Sequence, residues 1–148
     1  MGRPVERVVI DANVAIALAI ELPWSASARA KVAVWQSEHA EISVPLFWGY
    51  EVISALRKAL YAGLLTYDEA EVLLVSIFSI GVHPVEPDLD LHRDALRWAS
   101  RLGQVVAYDA QYLAVAARLS ATFWTADRRL AEKARQCGVD WVRLIAES

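Results

Sequence analysis

Val8-Val9-Ile10-Asp11-Ala12-Asn13 decides the reading of this chain: three β-branched apolar residues run into an acid, and the helix-like Val14-Ala15-Ile16-Ala17-Leu18-Ala19-Ile20 follows. Consecutive Val and Ile residues without polar alternation fit a strand covered on both faces, as in parallel sheets. Open sheets of that kind take ligands beyond the carboxyl ends of their strands, so Asp11 stands where a ligand would bind. A second account of the same residue stays open. Asp and Asn are favoured helix N-caps, and Asp11 or Asn13 can simply start the helix that follows.

Outward from this unit, Glu21-Leu22-Pro23-Trp24-Ser25 supplies a proline break and a serine N-cap, which predicts a helix over 26–38. Ile42-Ser43-Val44-Pro45 reads as a short strand closed by proline. A long helix over 47–62 ends at Gly63, a C′ glycine. Thr66 and Glu69 form a capping box opening a helix through about residue 80. Residues 82–85 are a strand candidate, and 88–101 a helix with Leu89, Leu96 and Trp98 turned inward. After a loop or brief extended piece over 102–107 come a helix over 109–119, a strand over 121–124, a helix over 128–136 and a last strand over 139–144. Strands alternating with helices predict an α/β domain with a mainly parallel sheet.

With 148 residues, 56% of them hydrophobic, the chain can bury a full core, and one domain over 1–148 is expected. The longest weakly charged stretch, 72–85, is broken by Ser76, Ser79, Gly81 and His83 and is short of the ~20 apolar residues of a membrane span. No membrane segment is expected. Arg3, Glu6 and Arg7 precede only a brief apolar run holding Asp11, which is not the layout of a secretory signal. The lone Cys137 has no internal disulfide partner, and the reading is cytoplasmic. A net charge of −3 argues against gripping nucleic acid by bulk positive field. Yet 12 of the 15 basic residues are arginines, enough to neutralise a few phosphates if gathered at one rim.

Three further acids stand out. Glu51 shares one side of its helix with Ser54, Arg57 and Lys58 by i+3 and i+4 spacing. That side is either an ordinary solvated face or a face turned to a cleft, with Lys58 or Arg57 nearer the rim. Asp109 and Asp127 both sit where a helix begins, and each is explicable as a cap or a first-turn acid favoured by the helix dipole. Asp127 also follows an apolar strand candidate, as Asp11 does, so a parallel sheet would carry both on one edge. We read Asp11, Glu51, Asp109 and Asp127 as one acidic cluster that holds a divalent metal for cutting phosphodiester bonds.

The motifs occur in a fixed order: the strand with Asp11 and Asn13, Glu51 on the helix after Val44-Pro45, then Tyr108-Asp109-Ala110-Gln111-Tyr112-Leu113-Ala114-Val115-Ala116, and last Thr125-Ala126-Asp127-Arg128-Arg129-Leu130. Taken together they span nearly the whole chain, which resembles the PIN-domain family and, within it, the VapC-type toxin ribonucleases of bacterial and archaeal toxin–antitoxin pairs. The resemblance implies a three-layer α/β domain with a central mainly parallel sheet flanked by helices. It implies an endoribonuclease dependent on Mg²⁺ or Mn²⁺, with Asp11, Glu51, Asp109 and Asp127 as its acidic site. Asn13 and Thr125 fall at the family's supporting polar positions; Asn13 departs from the Ser or Thr often found there but still forms hydrogen bonds. The implied partners are RNA, a second copy in a homodimer, and a cognate VapB-type antitoxin.

Elementary electrostatics gives the cluster its own reason. Two carboxylates ~4 Å apart at a protein rim repel by about 4 kcal/mol at an effective dielectric of 20, and a divalent cation offsets this. Oxygen-only ligands suit Mg²⁺ or Mn²⁺, and Cys137, His39, His83 and His92 lack zinc spacing. Metal-assisted hydrolysis follows, the ion orienting and acidifying water for in-line attack, and acids accepting its proton. Arg128 and Arg129 can reach phosphates beside the metal or remain solvated charges. Arg93, Arg97 and Arg101 read as a solvated row paired with Asp90 and Asp94, and Tyr108 and Tyr112 as packing residues, either of which can also stack on a base. Six tryptophans and surplus apolar residues on the second and fourth helices point to a partner surface. Two other readings are an inactive PIN-like binding module, against which the four intact acids speak, and another Mg-dependent phosphohydrolase of the haloacid-dehalogenase type. The latter needs a second Asp where Asn13 stands.

Overall fold

Val8, Val9 and Ile10 are wholly buried in the computed structural model, which describes residues 2–147. The chain runs β1 (Arg7–Ile10), α1 (Ala12–Ile16), α2 (Ser25–Ser37), β2 (Glu41–Pro45), α3 (Trp48–Tyr61), α4 (Tyr67–Phe78), β3 (His83–Val85), α5 (Leu89–Leu102), α6 (Tyr108–Leu119), β4 (Thr122–Thr125), α7 (Arg128–Gln136) and β5 (Val142–Leu144). A short 3-10 turn, Ile145–Glu147, closes it. The five strands form one sheet in the order β3-β2-β1-β4-β5, and every pairing is parallel. This is the sheet that the apolar run in β1 predicts.

Successive residues of β4 show that helices cover both faces. Phe123 stacks on Tyr112 of α6, with ring centroids 5.2 Å apart, whereas Trp124 meets Trp35 of α2 at 5.8 Å. Side chains alternate along a strand, so α6 and α2 lie on opposite faces and the domain has three layers. The register matters more for function. Ile10 pairs with Trp124, which sets Asp11 level with Thr125 at the carboxyl ends of β1 and β4. Sheet order reverses at β1, with β2 on one side and β4 on the other, and ligands of open α/β sheets gather at such a switch point.

The predicted stops hold in detail. Thr66 caps α4 with Glu69 in a reciprocal capping box, and Gly63 follows α3 at φ +75°, a conformation that glycine adopts without steric penalty. Three local expectations are corrected. Ser25 does not cap α2; the cap is Trp24, and the Ser25 hydroxyl accepts from Leu22 N at 2.8 Å and donates to Ile20 O at 3.1 Å, pinning the turn between α1 and α2. The last strand begins at Val142, and Trp141 before it packs edge-on against Trp98. On α5, Leu89 and Leu96 are 64% and 70% exposed, while Leu91, Ala95, Ala99 and Leu102 face inward. Small residues on that row let α5 pack closely on α6, and alanine gives little hydrophobic signal in sequence. Among the described residues, no helix is long and apolar enough to cross a membrane.

Candidate active site

Asp11, Glu51, Asp109 and Asp127 line one cleft of about 670 Å³ at the carboxyl edge of the sheet, together with Asn13, Lys58 and Thr125. Each arrives by a different route. Asp11 leaves β1 and caps α1; Glu51 lies in the first turn of α3; Asp109 lies in the first turn of α6; Asp127 caps α7. The capping and site readings of Asp11 are therefore both true, through different oxygens. Its Oδ1 accepts from Val14 N at 3.0 Å, while Oδ2 accepts from Thr125 Oγ1 at 2.5 Å and from Ala126 N at 3.1 Å. A carboxylate offers about four acceptor positions, so three bonds orient Asp11 and leave capacity for one more. Thr125 is also the acceptor for Asp127 N at 3.0 Å, so one hydroxyl ties the first acid to the last.

The other three carboxylates follow one pattern. Tyr112 donates its hydroxyl to Glu51 Oε1 at 2.5 Å, Gln104 Nε2 donates to Asp109 Oδ2 at 3.1 Å, and Leu130 N donates to Asp127 Oδ1 at 3.1 Å. The second oxygen of each has no hydrogen-bond partner among the described residues. Neutral donors thus fix the acids without cancelling their charge. Tyr112 and Gln104 are the functional candidates missing from the sequence reading. Tyr112 is 3% exposed, clamped between Phe123 and Phe47, and a tyrosine on the buried side of a helix needs a partner for its hydroxyl. That need is the signal that could have singled it out. Gln104 carries no comparable signal in its loop.

Burial lifts the Asp11 carboxyl to about 6; the bonds from Thr125, Val14 and Ala126 oppose the rise and the charge of Glu51 adds to it. Burial also raises Glu51, helped by the charge of Asp109 and opposed by Tyr112. Asp109 rises through burial and the charge of Asp127, opposed by Gln104. Each acid is therefore felt by the next around the cleft. The Tyr112 phenol is pushed far up by burial and by Glu51, and it stays a donor.

Four carboxylates and a single ammonium, Lys58, line this cleft, leaving a surplus of negative charge. Among the described residues no three His, Cys, Asp or Glu side chains close into a ready metal cage. An open ring of oxygen donors, each with a free lone-pair site, suits Mg²⁺ or Mn²⁺, which keep several of their own waters. The donor chemistry fits a hard divalent ion. Arg128 and Arg129 are exposed at the start of α7, outside the cleft lining, and Arg57 packs over the Tyr61 ring at 5.9 Å. Asn13 lines the cleft with its side chain exposed. The three histidines are exposed and lie outside it.

Similarity to known proteins agrees with this geometry. The family model described as PIN domain matches residues 8–136. Ribonuclease VapC3 of Pyrobaculum aerophilum is 34% identical over 131 residues, an alignment covering 86% of this chain and 94% of that protein. The crystal structure of PAE2754 from Pyrobaculum aerophilum superposes with a TM-score of 0.68 at 26% identity, over 97% of this chain and 85% of that one. The chain belongs to the PIN-domain family, on its VapC-type branch.

Proposed function

We propose that this chain is a Mg²⁺- or Mn²⁺-dependent endoribonuclease, the toxin of a VapBC-type toxin–antitoxin pair, working in the cytoplasm as one domain over residues 1–148. One observation carries the reading: Glu51, Asp109 and Asp127 each have one oxygen held by a neutral donor and the other without a hydrogen-bond partner among the described residues, around a cleft that Asp11 completes. Asp11, Glu51, Asp109 and Asp127 hold the ion. When bound, it supplies an oriented, acidified water and charge neutralisation on the scissile phosphate. Thr125 keeps Asp11 in its rotamer, and Tyr112 and Gln104 do the same for Glu51 and Asp109. One or more of these acids takes the proton of the attacking water, Glu51 Oε2 and Asp109 Oδ1 having no hydrogen-bond partner among the described residues. Lys58 gives the cleft a cation for a substrate phosphate, and Asn13 a hydrogen-bonding side chain.

Beyond RNA, the partners of this reading are a second copy and a VapB-type antitoxin. Its support is apolar surface: Tyr50, Ile53 and Tyr61 on α3 and Tyr67, Val72, Val75 and Phe78 on α4 are exposed. A scattering profile that stays monomeric across micromolar concentrations removes the dimer from the proposal.

The direct test is cleavage of a panel of structured RNAs in Mg²⁺, Mn²⁺ or EDTA by the wild type, Asp11→Asn and Asp109→Asn. Metal-dependent cutting lost in both variants is the expected result. Cutting that survives EDTA or either substitution overturns the mechanism. A Mn²⁺-induced rise in melting temperature without cutting of any RNA retains the metal site and overturns the substrate.

A further inference from the structure

Tyr108 and Tyr112 lie one turn apart on the same side of α6, and both meet Phe47 edge-on, with ring centroids 5.7 Å and 5.6 Å from it. Their surroundings then part. Tyr112 is 3% exposed, stacks on Phe123 and donates to Glu51, so its ring is closed to a ligand. Tyr108 is 65% exposed at the cleft wall, and its hydroxyl has no hydrogen-bond partner among the described residues. Phe47 steadies the Tyr108 ring and leaves most of it in the cleft. The next residue, Asp109, carries one of the four acids, so the ring stands one residue from the proposed ion. Charge divides the two walls of the cleft. Lys58 stands on the α3 wall, whereas residues 102–112, which lead into and open α6, contain no lysine or arginine. A phosphate is favoured at the ion and on the α3 side; the α6 side offers an RNA strand an uncharged ring. With four acids in the cleft and a net charge of −3, the bulk field does not favour a polyanion, and stacking on a base is binding that the acids do not oppose.

We propose that Tyr108 sets the form of RNA this site accepts: its ring stacks an unpaired nucleobase beside the scissile phosphate, favouring single-stranded or looped RNA over a continuous duplex. This rests on the ribonuclease reading, which brings a phosphate to the acids. In a duplex each base is already paired and stacked on its neighbours, and reaching a side-chain ring means breaking both arrangements. An unpaired base has a free π-face, and every base has one, so the ring selects for strandedness and not for sequence. Position favours a base over a protein segment as its occupant. The exposed apolar surface suited to a protein partner lies along α3 and α4, whereas Tyr108 stands on α6 beside Asp109, where the reacting phosphodiester must come.

The test compares the full-length wild type with Tyr108→Phe and Tyr108→Leu in Mn²⁺, on a 12-nucleotide single-stranded RNA carrying 2-aminopurine and on the same strand annealed to its complement. Stopped-flow fluorescence reads binding and base stacking before cutting accumulates, and gels of the same mixtures read cutting. Phenylalanine keeps a ring; leucine keeps only apolar bulk. Tyr108→Leu is expected to bind the single strand about tenfold more weakly, to lose the 2-aminopurine quench, and to raise KM for cutting by the same factor with kcat within about twofold. Tyr108→Phe is expected to keep wild-type values. The duplex should bind more weakly than the single strand, and equally in all three proteins. The Mn²⁺-induced rise in melting temperature should also be common to all three. Equal single-strand binding by wild type and Tyr108→Leu overturns the proposal, as does a Tyr108→Phe that loses as much as Tyr108→Leu, or a wild type that binds the duplex as tightly or binds neither form. Loss of the Mn²⁺ effect in Tyr108→Leu overturns it too, because the substitution would then act through Asp109. If Tyr108→Leu binds RNA normally but loses self-association in scattering, Tyr108 belongs to a protein interface and the proposal falls. If the wild type binds and quenches the single strand, Tyr108→Leu does so more weakly, and no protein cuts RNA, the stacking site stands and the ribonuclease reading is what fails.

Discussion

Two sets of acids in this molecule are treated in opposite ways. On and around α5, Asp90 meets Arg93 and Asp94 meets Arg97, each at 2.9 Å, and Asp88 meets Arg118 at 3.0 Å. In the cleft, Asp11, Glu51 and Asp109 meet a threonine hydroxyl, a tyrosine hydroxyl and a glutamine amide, and Asp127 a backbone N–H. A guanidinium neutralises the acid it orients. A neutral donor orients the acid and leaves its charge for something else. The pKa directions follow the same division: Arg118 holds Asp88 below the usual carboxylate range, while burial pushes Asp11 to about 6. Two sets of the same residue type differ in availability, and only the cleft set is available to a cation.

The largest effect expected from this contrast is on catalysis. Asp11→Asn keeps an N-cap side chain but removes the charge at the point where Thr125, Ala126 and Val14 converge. RNA cutting should fall below detection, and Mn²⁺ should no longer raise the melting temperature. A variant that still cuts at a tenth of the wild-type rate would put Asp11 in a purely structural role.

Next in size is the pH dependence of the metal-free fold. Asp11 binds its proton more tightly folded, at about 6, than unfolded, at 3.8, so the folded state holds more protons between those values. Stability therefore falls as pH rises through that window, by about 3 kcal/mol for this one buried group. Glu51 and Asp109, also raised, act in the same direction. Asp88 has the opposite sign: its pairing stabilises at neutral pH and is lost as acid protonates it below its lowered value. Urea unfolding in EDTA should thus show greater stability at pH 5 than at pH 7.5, and added Mn²⁺ should help more at pH 7.5. Metal-free stability that climbs steadily to pH 7.5 would mean that the cleft carboxylates are not strained.

Tyr112→Phe comes third, and it bears on what a sequence can disclose. The phenyl ring keeps its stacking on Phe123, so the fold should survive while Glu51 loses the Tyr112 hydroxyl as donor. Outer supports of metal ligands are typically worth 10–100-fold in affinity, and calorimetric Mn²⁺ binding should weaken by that order. Unchanged affinity would make the Tyr112–Glu51 bond incidental. Asp11, Asp109 and Asp127 were legible because each stands at an element boundary inside a short local motif, and β1 announces its burial in three residues; Glu51, on a helix face that reads as well as a solvated one, was placed by the family resemblance. Tyr112 was read as packing, which is half its role. Its other half depends on Glu51, 61 residues away, and no local pattern records that pairing. The inward face of α5 was misread for a related reason: the leucines Leu89 and Leu96 carry the hydrophobic signal, yet the alanines Ala95 and Ala99 make the close contact. Packing chose size over hydrophobicity there, and pattern reading weighs hydrophobicity.

The smallest expected effect is the control that gives the others meaning. Asp94 and Arg97 are 41% and 73% exposed at their side chains and three residues apart on α5. Exposed pairs at this spacing contribute about 0.2–0.5 kcal/mol, and asparagine differs little from aspartate in helix propensity. Asp94→Asn should therefore shift urea stability by less than about 0.5 kcal/mol and leave Mn²⁺ binding and RNA cutting unchanged. The substitution removes one carboxylate, as Asp11→Asn does, so net charge changes equally in both proteins. If Asp94→Asn also reduced cutting, the loss in Asp11→Asn would report only a change in the protein's overall field. If it does not, what distinguishes the two acids is the identity of their partners: a guanidinium that satisfies Asp94 on the surface, and neutral donors that leave Asp11 ready for a cation.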